Sequence, residues 1–270
     1  PGKLAWIPPA GQMYSSNIWA PELHYLDGKW YVYFAGDNGN DGNHRMHVLE
    51  NASDDPTKGT WTYKGKIGDD SNIWAIDGSV FEHGGKRYFM WSGWKFQNGS
   101  QSGIQQIYIA EMSNPWTITG ARYMISEPTY DWEMVGLVNE GPEILKNAAG
   151  DVFLVYSASG CWTDEYKLGM MKLTGTDPLV QANWTKYSTP VFQKNIANSV
   201  YSPGHNSFFK SPDGTEDWII YHANNAAGLG CGGSRSTRMQ KFTWNEDGTP
   251  NFGVPKSLSE SLPAPSGEGL

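Results

Sequence analysis

One hairpin pattern occurs four times along the chain, and this internal repeat restricts the possible folds more than any other feature of the sequence. Each copy consists of an apolar run, a tight turn that contains glycine, and an aromatic strand. The turn glycines are separated by 57, 65 and 64 residues; they are Gly28, Gly85, Gly150 and Gly214. A polar loop and a second pair of short strands follow each hairpin. Four strands in a unit that repeats about every 60 residues are typical of the blades of a β-propeller.

The predicted fold class is therefore all-β, with one β-propeller domain over residues 1–270. A long β-sandwich would explain the short strands but not the repeat. No stretch of the sequence has the sustained 3.6-residue period of an amphipathic helix. The four predicted blades cover residues 17–67, 74–126, 138–193 and 204–255.

Charge and hydropathy exclude two classes of partner. The net charge of −8 repels a phosphate backbone, and the sequence contains no basic stripe. No apolar run approaches the roughly 20 residues of a membrane-spanning helix. Charged residues make up only 18% of the chain, which argues against disorder. We therefore expect a globular monomer with neither a nucleic acid nor a membrane as its partner.

The starts of the four first strands are the predicted functional region. The first strand of each propeller blade lines the central axis, so these starts should meet at one face. Carboxylates stand at three of them and a histidine at the fourth; these residues are Glu22, Asp77, Glu140 and His205. Carboxylates gathered in one pocket suit cleavage of a glycosidic bond, because a protonated acid donates to the leaving oxygen while an ionised one activates water. A neighbouring like charge keeps the donor protonated near neutral pH.

Aromatic and amide side chains near the same strand starts are candidates for substrate contact, since tryptophan offers a flat apolar face to a sugar ring. The sequence holds 13 tryptophans, and most of them are expected to pack within the blades. The residues predicted to bind substrate are Asn17, Trp19, Glu22, Trp74, Trp94, Glu133, Asn139 and Asn206.

Several segments together resemble glycoside hydrolase family 43. They are residues 17–25, 75–80, 138–142, 157–162, 204–206 and 244–253. The resemblance spans nearly the whole chain and implies a five-bladed propeller that inverts configuration at the anomeric carbon. Within the family, the sequence looks most similar to exo-acting α-L-arabinofuranosidases and arabinanases.

The resemblance also implies roles for individual residues. Glu140 would be the general acid, and Asp77 would tune the pKa of that acid and orient the substrate. His205 would lie at the centre of the channel, where family members often hold a calcium ion or another cation through water. No cofactor is implied for the chemistry itself.

The implied activity is that of a secreted exo-acting glycosidase, which releases α-L-arabinofuranosyl units from the arabinan or arabinoxylan of plant cell walls. A β-xylosidase of the same family is one alternative, because both pentoses fit one pocket shape. A non-catalytic glycan-binding propeller is another, and it is motivated by a departure from the family pattern.

That departure concerns the general base. The family's base is an aspartate that precedes the segment at Trp19, and residues 1–18 of this sequence contain no acidic residue. Only four blades are counted where the family has five. We therefore expect an incomplete ring, open between the blade at Trp19 and the blade at His205, with an upstream segment supplying the missing blade and its aspartate.

The sequence contains two cysteines. Cys161 and Cys231 follow the second strands of the third and fourth predicted blades, which places both in adjacent loops. We expect them to form a disulfide, and a disulfide favours an extracellular location.

Overall fold

The computed structural model describes residues 2–269, and within them sixteen strands form four antiparallel sheets of four strands each. In every sheet the strands follow one another in chain order, so that each strand pairs with the next. This arrangement confirms the predicted all-β class and the four predicted blades.

The strand bounds follow the repeat. The first sheet contains β1 (Ser16–Leu26), β2 (Lys29–Asp37), β3 (Arg45–Asn51) and β4 (Thr62–Ile67). The second contains β5 (Ala75–His83), β6 (Lys86–Gln97), β7 (Ser100–Asn114) and β8 (Thr117–Ser126). The third contains β9 (Asn139–Lys146), β10 (Val152–Ala158), β11 (Lys167–Leu173) and β12 (Trp184–Lys186). The fourth contains β13 (Tyr201–Lys210), β14 (Asp217–Asn224), β15 (Ser236–Trp244) and β16 (Pro250–Asn251).

Helical structure in residues 2–269 is confined to three 3₁₀ turns, which are Asp41–Asn43, Asp131–Glu133 and Gln181–Asn183. None of them is long and apolar enough to cross a membrane.

Two-residue turns join several of the strand pairs. Asp27 and Gly28 connect β1 to β2 with φ angles of 51° and 75°. Asn98 and Gly99 connect β6 to β7 with φ angles of 51° and 78°. Positive φ at both central residues is the geometry of a type I′ turn, whose twist matches that of the flanking strands. The turn residues seen in the sequence therefore set the register of these hairpins.

The chain divides into two compact units, each with its own apolar core. Unit 1 holds β1–β8 and comprises the residues up to Ser126 together with Leu179–Gln181. Unit 2 holds β9–β16 and comprises Glu127–Pro178 together with the residues from Ala182 onward. Both cores contain several buried aromatic side chains, among them Tyr33 and Phe89 in unit 1 and Phe153 and Phe252 in unit 2.

The core of unit 1 fixes the start of β5. A Cβ atom at Gly78 would lie 2.2 Å from the ring of Phe89 and 2.8 Å from the methyl group of Met46. Only glycine allows the strand to approach these two side chains so closely. Asp77 directly precedes this glycine and has a φ of 56°. The packed core therefore sets the backbone that carries the Asp77 carboxylate.

The predicted disulfide is confirmed. Cys161 and Cys231 are bonded in unit 2, with their Cα atoms 5.2 Å apart. The bond joins the loop after β10 to the loop after β14, as the sequence predicts.

Removing this disulfide should destabilise the protein. The Cys161→Ser/Cys231→Ser double variant is expected to lose about 2–4 kcal/mol of unfolding free energy, because the bond restricts the unfolded chain across a long loop. The two cysteines are separated by 70 residues. Urea unfolding followed by tryptophan fluorescence measures the difference. A reductant should lower the midpoint of the wild-type protein and leave that of the double variant unchanged; identical midpoints for both proteins without reductant would contradict the prediction.

Candidate active site

Glu140 is the second residue of β9, and a bulge sets its position. The pairing of β9 with β10 shifts between Val155 and Ser157, and Ser157 lies opposite Glu140. The Glu140 side chain is held in place by Tyr166, whose hydroxyl donates to Oε1 of the carboxylate at 2.7 Å. The residue is 9% exposed. Glu140 is thus a largely buried carboxyl group with a fixed orientation.

His205 lies beside Glu140 in unit 2. Register shifts flank it in β13, and its φ is 54°. Its backbone N–H donates to Oγ of Ser157 at 2.7 Å, so the strand partner of Glu140 also anchors His205. A ring nitrogen of His205 lies within 4.8 Å of a carboxylate oxygen of Glu140. The structure therefore brings together two of the residues that the sequence singled out.

The His205 ring also belongs to a row of three aromatic rings. The His222 ring stacks between those of Tyr166 and His205, at centroid distances of 5.9 Å on both sides. Burial, assisted by the nearby His205 and Arg235, lowers the pKa of His222 to about 3. The neutral imidazole can therefore accept at Nε2 from the guanidinium of Arg235, which lies 3.0 Å away. Sequence reasoning did not identify Tyr166, which stands in a loop without a recognisable motif.

Asn206 follows His205 and has an unusual environment. The residue is only 2% exposed. Within residues 2–269, neither its amide nitrogen nor its amide oxygen has a hydrogen-bond partner. An unpaired buried amide is costly, and a hydroxyl-rich ligand would remove that cost by bonding to it.

Glu133 and Asn139, both predicted substrate contacts, belong to one buried hydrogen-bond network, and Asn139 directly precedes Glu140. The Glu133 carboxylate accepts from Lys186 at 2.8 Å, from the Tyr156 hydroxyl at 2.8 Å and from the Asn139 amide at 3.1 Å. Two backbone N–H groups of the preceding loop donate to its other oxygen. Burial alone would raise the pKa of Glu133, but the Lys186 ammonium and these donors hold it below its usual value. Both carboxylate oxygens of Glu133 thus have protein partners, and its contact with substrate stays a prediction.

In unit 1, Asp77 is the third residue of β5, whereas Glu22 lies in the middle of β1 and not at the strand start that the sequence predicts. Asp77 is buried where the pairing of β5 with β6 shifts. Glu22 accepts from the Ser79 hydroxyl at 2.7 Å and pairs through the same oxygen with His24. Glu22 is therefore tied to residues of its own unit, and Ser79 connects it to the strand that carries Asp77.

Trp19 presents a fixed, partly open ring. It is 41% exposed and stacks on the His44 imidazole at a centroid distance of 4.0 Å. Nδ1 of His44, which is fully buried, lies 3.1 Å from the Asp37 carboxylate, and its Nε2 lies 3.0 Å from the Asn17 carbonyl oxygen. The Asn17 amide in turn donates to Asp37 at 2.9 Å. Asn17, predicted as a substrate contact, thus helps to position the His44 ring on which Trp19 stacks.

The other two predicted tryptophans stack on each other. Trp74 and Trp94 lie 4.7 Å apart with their planes at 10°. Trp74 is buried, and its Nε1 donates to the Asp41 carbonyl oxygen at 2.8 Å. Trp74 therefore packs in the core of unit 1, and half-buried Trp94 covers it.

Two groups of side chains have the donor atoms to hold a cation. In unit 2, Glu140 and His205 offer an oxygen and a nitrogen to one point. In unit 1, Asp37, Asp41 and His44 bring one donor atom each within 4.8 Å of one another. A hard cation such as Ca²⁺ prefers oxygen ligands, so an imidazole fits it best through bound water.

Comparison with known proteins identifies relatives over most of the chain. Residues 4–250 match the family described as glycosyl hydrolases family 43. An extracellular exo-α-(1→5)-L-arabinofuranosidase of Streptomyces avermitilis is 43% identical over 263 residues, which are 94% of this chain and 53% of that protein. The α-L-arabinofuranosidase 43 of Humicola insolens is 37% identical over 94% of this chain and 53% of its own length.

A solved structure shows the same fold. The crystal structure of an α-L-arabinofuranosidase from Lactobacillus brevis matches with a TM-score of 0.86 at 40% identity, and the match covers 95% of this chain and 82% of that one. The chain spans about half the length of the first two curated relatives that it matches.

Proposed function

The chain belongs to glycosyl hydrolases family 43, with the β-propeller fold of that family, and from this premise we propose that it releases α-L-arabinofuranosyl units from arabinan or arabinoxylan. The relatives from Streptomyces avermitilis, Humicola insolens and Lactobacillus brevis are all named as arabinofuranosidases. The first is also named extracellular, and together with the Cys161–Cys231 disulfide this supports secretion of the present protein. The partner is then a plant cell-wall polysaccharide.

The observation that carries the proposal is the environment of Glu140. As general acid it transfers its proton to the glycosidic oxygen as the bond to the anomeric carbon breaks, and the base removes a proton from the attacking water. The Tyr166 hydroxyl on Oε1 restricts rotation of the carboxyl group, which limits the directions in which Glu140 can donate its proton. We assign no general base to residues 2–269, and the incomplete ring stays a prediction.

Asp77 takes the second acidic role in this proposal, which is to keep the acid protonated and to orient the substrate. Its burial in unit 1 and the constrained backbone beside Gly78 support the role, because a carboxylate that orients a sugar must itself be fixed. His205 is the residue that would hold a cation through water, and such a cation would supply positive charge beside the carboxylates.

Two further side chains are proposed to contact the sugar. The exposed face of Trp19 suits the apolar face of a pentose ring, and its stacking on His44 keeps it in place without substrate. The unpaired amide of Asn206 suits a sugar hydroxyl.

The test compares two aryl glycosides with the natural full-length protein. Nitrophenyl α-L-arabinofuranoside should be hydrolysed with a higher kcat/KM than nitrophenyl β-xyloside, and arabinose should be released from linear arabinan. Preference for the xyloside would overturn the proposal in favour of a β-xylosidase. Binding of arabinan without turnover of either glycoside would overturn it in favour of a glycan-binding propeller.

A further inference from the structure

Trp162 is a large aromatic side chain that is exposed in unit 2, in the loop between β10 and β11. It is 60% exposed. Met134, Val135 and Leu229 are also exposed, and they lie in the loops that contact the Trp162 loop or follow β14. The proposed chemistry at Glu140 does not involve this ring. An open apolar ring on a surface loop is a candidate binding feature when something holds it in place.

Two glycines let the Trp162 ring lie against the backbone, and a disulfide anchors its loop. A Cβ atom at Gly160 would lie 2.4 Å from the Trp162 ring, and one at Gly136 would lie 2.8 Å from it. Any other residue would push the ring away, so the indole rests directly on the backbone. Its neighbour Cys161 is bonded to Cys231, which ties the loop to the one after β14. One side of the ring is therefore supported by protein, and the rest is open.

The Trp162 ring lies against Gly136, in the segment that leads into the strand of Glu140. Gly136, on which the ring lies, precedes Glu140 by four residues, which span at most about 14 Å. The Ser159 N–H donates to the Val138 carbonyl at 3.1 Å, and the Gly160 N–H donates to Val135 at 2.6 Å. These bonds join the Trp162 loop to the segment that leads into β9. A chain bound at Glu140 therefore has this ring within reach.

We propose that Trp162 is a platform for the arabinan chain beyond the bond that is cleaved, an inference that rests on the proposed function. An exo-acting enzyme takes only the terminal sugar into its pocket, so the rest of the polymer must leave across the rim. A furanose presents apolar C–H groups on its face, and an indole ring supported on one side covers them with a reduced loss of side-chain entropy on binding. The occupant is thus a string of arabinofuranosyl units.

The test compares Trp162→Ala with Leu258→Ala, a matched control that is 61% exposed on the C-terminal segment. Both variants and the wild-type full chain are assayed on nitrophenyl arabinofuranoside and on linear α-1,5-arabino-oligosaccharides of two to five units. Trp162→Ala should raise KM for the longer oligosaccharides about ten-fold, equal to about 1.4 kcal/mol, and change the aryl glycoside less than about two-fold. Trp162→Phe should recover part of the loss, and Leu258→Ala should resemble wild type.

The outcomes separate this inference from the proposed function. An equal rise of KM for Trp162→Ala on the aryl glycoside and on the oligosaccharides, or no rise on either, would overturn the proposal that Trp162 is a platform. If the wild-type protein hydrolyses none of these substrates, the proposed function fails, and calorimetric titration with the five-unit oligosaccharide then tests the platform alone; undiminished affinity of Trp162→Ala would overturn it. Self-association of the wild-type protein that Trp162→Ala abolishes would identify the patch as a contact between copies and would also overturn it.

Discussion

Glu140→Gln is expected to reduce kcat on linear arabinan by about 10²–10⁴-fold, the contribution of a general acid. Glutamine keeps the shape of the side chain and can still accept from the Tyr166 hydroxyl, which bonds to Oε1 in the wild-type protein. It has no proton to give to the departing sugar oxygen. The loss should be much smaller on a dinitrophenyl arabinofuranoside, because that leaving group departs without protonation. Steady-state kinetics on both substrates measures the contrast.

Glu246→Gln is the control for this substitution. Glu246 lies in unit 2 in the exposed turn between β15 and β16, away from the strand starts, and its variant should retain wild-type rates on both substrates. If Glu140→Gln loses the same factor on arabinan and on the dinitrophenyl glycoside, Glu140 is not the proton donor. The assignment then has to move to another carboxyl group.

The strands were predictable because their signals are local. Alternating apolar residues and turn glycines act within one hairpin, so the repeat alone marks four blades and their first strands. Glu140 and His205 could be selected for the same reason, since each belongs to the first strand of a sheet, Glu140 as the second residue of β9 and His205 as the fifth of β13. The two-residue turns at Gly28 and Gly99 have the positive φ that such a reading requires.

The environments of the side chains were not predictable, because they depend on packing between distant segments. Glu133, for example, pairs with Lys186, which is 53 residues away in the chain, and no sequence spacing indicates this pair. His44 supports Trp19 through a stack that no sequence spacing reveals. Tyr166 contacts Glu140 next to a register shift between β9 and β10, which lies between Val155 and Ser157. Bulges and ring stacks of this kind leave no periodic mark in a sequence.

Replacing Lys186 should have the largest effect on stability. Its ammonium lies 2.8 Å from the Glu133 carboxylate, which is fully buried. Lys186→Met keeps much of the apolar stem and removes the charge, so Glu133 remains as a buried carboxylate without its cation. Breaking a buried pair in this way costs about 3–5 kcal/mol, because the remaining charge is no longer compensated. Urea unfolding at neutral pH measures the loss of unfolding free energy.

Lys172→Met is the matched control, since it makes the same substitution in the neighbouring strand β11. Lys172 pairs with Asp151 at 3.0 Å where water reaches both groups. Solvent screening leaves such a pair with little net stabilisation, so this variant should unfold close to the wild-type midpoint. A double variant, Glu133→Gln/Lys186→Met, should recover part of the stability because the unpaired charge is removed as well. Equal losses in Lys186→Met and Lys172→Met would refute the special role of the buried pair.

The pH dependence of the unfolding free energy provides a second test of this prediction. In the wild-type protein the pKa of Glu133 is lowered from 4.5, so its contribution to stability is present above that value and is lost as the pH falls through the lowered one. In Lys186→Met the compensating ammonium is gone, and burial then raises the pKa of Glu133 instead. In the variant, protonation of Glu133 removes its uncompensated charge at a pH where the wild-type carboxylate is still ionised. The stability deficit of Lys186→Met should therefore shrink as the pH is lowered from neutral to about 4, whereas a deficit caused by lost packing alone would stay constant.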